Sequence, residues 1–159
     1  MTITISGGAT IAGGMSIQPA PVVPTNYFDA DETSDWTMFG DSTVSEPTNG
    51  TFRFTRVAGN GNVGQYTVTG LTPSSNYIFY ATGDTSQSNY TAEITIQGQS
   101  GEIAVVNWSA GATNDTQSDT WTQPVGESSV IVRIRIAYNE GYTGTSGVWD
   151  FSNIRINDN

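Results

Sequence analysis

Val130-Ile-Val-Arg-Ile-Arg-Ile136 is the stretch that decides the fold. Val130, Val132, Ile134 and Ile136 fall on one face, and Arg133 and Arg135 on the other. A period of two marks a strand with one buried face, because successive side chains of an extended chain point to opposite sides. Five of the seven residues are β-branched, which suits a pleated surface better than a helix. Thr51-Phe-Arg-Phe-Thr55 repeats the arrangement, with Phe52 and Phe54 inward and Arg53 outward. Residue usage across the 159 positions agrees: 13 Ile and 12 Val stand against a single leucine, Leu71, with 23 Thr, 16 Ser, 18 Gly and no lysine.

Working outward, strands are expected at 26–29, 36–39, 51–57, 64–69, 76–82, 90–97, 102–108, 120–123, 128–137 and 148–156. The separators are turn formers: Asn49-Gly50, Asn60-Gly61, Thr72-Pro73, Gly98, Gly126 and Gly141. No segment keeps a helical period over ten residues. Strands of this number and spacing predict an all-β sandwich of two packed antiparallel sheets.

The N-terminus is built differently. Ile5-Ser-Gly-Gly-Ala-Thr, Ile11-Ala-Gly-Gly-Met-Ser and Ile17-Gln share Ile-x-Gly-Gly-x-Thr/Ser at a period of six. Short strands turned at Gly-Gly fit that period, as does an arm that adds strands to a neighbouring subunit. In this arm, residues 1–18, Ile5, Ile11 and Ile17 are expected to fill hydrophobic seams. Gly7, Gly8, Gly13 and Gly14 are expected to make the turns. Gln18-Pro-Ala-Pro-Val-Val-Pro24 reads as a semi-rigid linker over 19–24, so the sandwich domain is expected over 25–159.

Composition excludes several functions. With 15 Asp and Glu against five Arg, the formal net charge is −10, which opposes binding to phosphate backbones and anionic membranes. Without histidine or cysteine there is no imidazole-based triad, no histidine-ligated zinc and no disulfide. The first residues lack the basic and apolar regions of a signal peptide, so synthesis in a cytoplasm is expected. Glu93, Glu102, Glu127 and Glu140 could supply a glycosidase pair, yet nothing in the sequence brings two of them together in an apolar setting. No enzymatic activity is expected.

Three stretches carry a family likeness. They are Phe28-Asp-Ala-Asp-Glu-Thr-Ser-Asp-Trp36, Val68-Thr-Gly-Leu-Thr-Pro-Ser-Ser-Asn-Tyr-Ile-Phe-Tyr80 and Gly147-Val-Trp-Asp-Phe-Ser-Asn-Ile-Arg-Ile156. In order and spacing, over residues 25–158, they resemble jelly-roll carbohydrate-binding modules of the family 4/9 type. The resemblance implies a jelly roll. It also implies a structural calcium held by an aspartate of the closing strand, but Ser152 stands at that position. Asp150, earlier in the strand, is read as facing the other way. The arm resembles the short N-termini of virion structural proteins of tailed phages, marine ones in particular.

The remaining candidates are two. The acidic loop with Asp29, Asp31, Glu32 and Asp35 could gather oxygen ligands for calcium, although it lacks the glycine and closing glutamate of an EF-hand; Asn114, Asp115 and Asp119 form a weaker cluster. No other cofactor is expected. Tyr90, Trp108, Trp121 and Tyr142, grouped around the polar loop 109–119, are the candidates for a sugar-stacking platform, with core packing as the bland alternative. Trp36 and Trp149 are assigned to the core. Taken together, the expectation is a phage virion structural protein, a capsid decoration, cement or tail appendage subunit. It would attach through its arm to other virion proteins as a homo-oligomer, a trimer. The alternative is a carbohydrate-binding module that adheres to glycans.

Overall fold

The computed structural model describes residues 10–11, 15–16, 24–57, 61–85, 87, 89–138 and 146–159. Twelve strands follow in order: β1 (Thr10–Ile11), β2 (Met15–Ser16), β3 (Thr37–Met38), β4 (Thr43–Thr48), β5 (Thr51–Arg56) and β6 (Gly61–Thr69). The remainder are β7 (Asn76–Asp84), β8 (Tyr90–Gly98), β9 (Gly101–Trp108), β10 (Asp115–Thr122), β11 (Ser129–Tyr138) and β12 (Gly147–Asp158). A first sheet runs β10-β7-β12-β5-β4 and a second β3-β6-β11-β8-β9, every pairing antiparallel. This is the expected all-β sandwich, with the strand arrangement of a jelly roll.

The core lies between the sheets. From β11 it receives Val130, Val132, Ile134 and Ile136, as the alternation requires, and from β12 Trp149, Phe151 and Ile156. Trp36 sets its ring edge-on to Phe54 at 4.8 Å, Trp108 edge-on to Phe151 at 5.1 Å, and Trp149 stacks near Phe151 at 5.9 Å. Each such side chain contributes about 2–3 kcal/mol of hydrophobic free energy when fully buried.

Phe151 and Ile156 both face inward although five residues apart, an odd spacing that a regular strand would place on opposite faces. The register shifts between Ser152 and Arg155 opposite β7. There Asn153 takes a left-handed φ of 52°. A β-bulge of this kind adds one residue and resets the alternation, so Arg155 is exposed and Ile156 packs. Asp150 and Ser152 precede the bulge and share the outward face, opposite Arg53 and Thr51 of β5. The expectation that Asp150 faces away from Ser152 is thus corrected, since two positions along a strand restore the same side.

Other differences have local reasons. The segment 26–29 is not a strand. It is tied to β12 by the Tyr27 N–H donating to the Ile156 carbonyl at 2.8 Å, and by Asn26 Oδ1 accepting from the Ile156 N–H at 3.1 Å. The strand expected at 36–39 shrinks to Thr37–Met38. Strand β4 and most of β10 were not expected. Each is a sheet edge, and β4 carries Pro47, which edges tolerate because one side of the strand needs no donor. In the arm, Thr10 pairs with Ser16 and Ile11 with Met15, antiparallel. Ile5, Gly7, Gly8, Gly13, Gly14, Ile17 and the segment 17–23 lie outside the described residues.

Candidate functional site

The strand that decides the fold also positions the site. Because β11 is the central strand of the second sheet and buries its aliphatic face, Arg133 and Arg135 project from the outer face. Register places Gln65 of β6 and Thr95 of β8 on either side of Arg133. Asn62 and Glu93 flank Arg135, and Asn107 of β9 lies beyond Glu93. The result is a row across four strands: Asn62, Arg135, Glu93, Asn107. Among the described residues, the Arg133 side chain makes one hydrogen bond, from Nη2 to Gln65 Oε1 at 3.2 Å. Arg135 meets Glu93 at 3.8 Å, with the two side chains 47% and 30% exposed.

One cleft lies along Arg135, Glu93 and Asn107 of this row and another at its Asn62 end. One of about 300 Å³ is lined by Thr91, Glu93, Asn107, Ser109 and Arg135, with Ala92 and Trp108 at its floor. The other, of about 460 Å³, is lined by Asn62, Arg56, Val57 and residues 39–42. Arg56 Nη1 donates to the Asn62 carbonyl at 3.1 Å, which ties the second cleft to the row. The outer face of the first sheet is occupied differently. There Arg53 clasps Asp150 through two hydrogen bonds of 2.7 Å, which raises the Arg53 pKa above its usual value, and Arg155 lies over the Tyr80 ring at 5.0 Å.

Of the two readings of the aromatic candidates, core packing is the one that the described residues take. Tyr90, Trp108 and Trp121 are 3%, 2% and 6% exposed and belong to the core. Trp108 sits opposite Ala92 and Trp121 opposite Tyr77, both on inward-facing positions. Their indole N–H groups are satisfied internally, Trp108 Nε1 donating to the Asp115 carbonyl at 2.8 Å and Trp121 Nε1 to Gln123 Oε1 at 3.0 Å. Strand parity turns them in despite the polar loop beside them. Tyr142 lies outside the described residues.

The acidic loop spends its carboxylates on the chain itself. Asp35 Oδ2 accepts the N–H groups of Asp31 and Glu32, both at 3.0 Å, and so closes the 3-10 turn Thr33–Asp35. Asp29 Oδ1 accepts the Tyr66 hydroxyl, and burial together with this bond pushes the Tyr66 pKa up. In the second cluster, Asp119 accepts the N–H groups of Val105 and Thr120, and Asp115 that of the Gln117 amide. Among the described residues no group of three or more Asp and Glu side chains is placed to hold a metal ion.

Asn62 and Gln65 carry no local signal, Asn107 only the triplet Asn107-Trp-Ser109 that chance supplies in a chain this rich in Ser and Thr, and Arg133 and Arg135 only their place opposite the aliphatic face. Their assembly depends on strand register across β6, β11, β8 and β9, which no local pattern encodes.

The chain matches no family model and no curated protein sequence. It is similar to solved structures. A tailspike protein 4 enzymatically active domain of bacteriophage CBA120 superposes with a TM-score of 0.58 at 14% identity, over 84% of this chain and 21% of that one. A xylan-binding family 22 carbohydrate-binding module of Paenibacillus barcinonensis gives 0.54 at 9% identity, over 87% and 97%. A family 4 module gives 0.52 at 16% identity, over 86% and 95%. This chain thus spans about a fifth of the tailspike chain and nearly the whole of each module. At such identities the likeness establishes the fold alone, a jelly-roll β-sandwich.

Proposed function

We propose that the protein is a glycan-binding module whose saccharide surface is the outer face of the second sheet. The observation that carries this reading is the row Asn62, Arg135, Glu93, Asn107, whose residues line two clefts on a face backed by the buried Ile134 and Ile136. Amide, guanidinium and carboxylate groups are planar and offer paired donors and acceptors, the pattern that adjacent sugar hydroxyls require. Rigid strands hold these groups in place, so little order must be imposed on binding. The reading is non-catalytic: Glu93 faces Arg135, and Glu102 lies opposite Gln97, outside the row.

A glycan array probed with the full chain tests the proposal. Binding is expected on at least one glycan class and is expected to vanish in the Asn107→Ala, Glu93→Ala double variant at unchanged thermal midpoint. A blank array removes the reading.

A second reading is supported by the likeness to the tailspike domain and by the paired strands of the arm. In it the sandwich is a virion structural component, a decoration, cement or tail appendage, held in the particle by its arm as a homo-oligomer, a trimer. Deleting residues 1–18 would then prevent incorporation into particles while leaving the sandwich folded. Normal incorporation of the truncated chain would dismiss it. The two readings are compatible in one molecule.

A further inference from the structure

The arginines narrow the class of glycan. The chain has five of them against 15 acidic residues, and on the first sheet Arg53 and Arg155 are already engaged with Asp150 and Tyr80. Arg133 and Arg135 are placed otherwise. They stand two residues apart on one strand face, about 7 Å along the strand. Arg133 Nε is buried with no partner among the described residues. Arg135 is half-exposed, and its contact with Glu93, at 3.8 Å, is longer than a hydrogen bond. Their register neighbours Asn62, Gln65 and Thr95 are neutral. Two guanidinium groups against the one carboxylate of Glu93 leave this patch at +1, on a chain of −10.

We infer that this face selects a glycan bearing an isolated carboxylate, a uronic-acid-type unit, with Arg133 and Arg135 as its clamp; the inference rests on the glycan-binding reading. Guanidinium groups match a carboxylate in a planar, bidentate geometry. The charge of the whole chain sets the other limit. A densely charged polyuronate meets the long-range repulsion that disfavours nucleic acid, whereas one carboxylate on a neutral chain gains the short-range pairs at little long-range cost. Glu93 is the internal competitor for Arg135.

Titration calorimetry on the full chain tests this with three probes: a neutral oligosaccharide carrying one glucuronate, the same oligosaccharide after carboxyl reduction, and polygalacturonate. The neutral backbone is taken from the array result. The carboxylated probe is expected to bind about tenfold tighter than its reduced form, the value of one charge-assisted contact. Arg133→Gln with Arg135→Gln should erase that difference. The Arg→Lys pair, which keeps charge but loses the planar fork, should retain part of it and serves if the first pair does not fold. Glu93→Gln, which removes the competing carboxylate beside Arg135, should widen the difference in affinity between the carboxylated and reduced probes. Equal affinity for the native and reduced probes overturns the carboxylate inference and leaves glycan binding standing. Tighter binding of polygalacturonate overturns the requirement for an isolated charge. A blank array removes both proposals together.

Discussion

Gln123 illustrates how much a single side chain can hold. It is fully buried, its Oε1 accepts from Trp121, and its Nε2 donates to the carbonyls of Glu127 and Ser129 at 3.1 and 3.2 Å. Its backbone pairs with Ser74 and Ser75 across the adjacent turn. Gln123→Leu would keep the volume but leave an indole N–H and two carbonyls without partners. A loss of about 3 kcal/mol is expected in denaturant unfolding. Tyr27 makes a different prediction. Its hydroxyl donates to Asp158 at 3.0 Å, and this bond, followed by burial, pushes its pKa up to about 12 from 10.0. A raised folded-state pKa means that the stabilisation is complete below pH 10 and lost as pH rises through about 12. Stability measured across that window should fall more steeply in the wild type than in Tyr27→Phe.

At the scale of the element, the strands fall into two kinds. The inner strands β11 and β5 were legible because a buried face imposes alternation that survives without any knowledge of neighbours. The edges β4 and β10 were not, because an edge strand in contact with solvent needs no apolar pattern, only a partner to pair with. Strand β10 also does work that its sequence, Asp115-Thr-Gln-Ser-Asp-Thr-Trp-Thr122, conceals. Asp119 reaches across to the second sheet and accepts the Val105 N–H at 2.9 Å, so it covers part of the open edge of β9. Unpaired edge donors invite pairing with other chains. Asp119→Ala should therefore cost about 1–2 kcal/mol in thermal unfolding and increase association visible by light scattering. An unchanged scattering signal would show that other features protect this edge.

For the whole molecule, charge is the governing quantity. Fifteen acidic residues against five arginines leave a net −10, and Arg53 with Asp150 and Arg135 with Glu93 are the ion pairs among the described residues. Self-repulsion of this size destabilises the compact state and is screened by salt. The thermal midpoint should thus rise by a few degrees between about 10 mM and 150 mM sodium chloride, at a Debye length falling from roughly 30 Å to 8 Å. Deleting residues 1–18 should leave that midpoint unaltered, since among the described residues the sandwich core draws its side chains from Phe28 onward.

The amino-acid sequence by itself determined the all-β class, the inward sets of β11 and β5, the core place of Trp149, and the exclusion of histidine and cysteine chemistry. These follow from local periodicity and composition, which need no partner strand to be read. Only the tertiary structure decided that Trp108, Trp121 and Tyr90 are core and that Asp150 shares a face with Ser152. It alone revealed the bulge at Asn153 that turns Ile156 inward, and the row of Asn62, Arg135, Glu93 and Asn107 across four strands. Each of these depends on register between segments distant in the chain, and register is set by the packing of the two sheets rather than by any one segment.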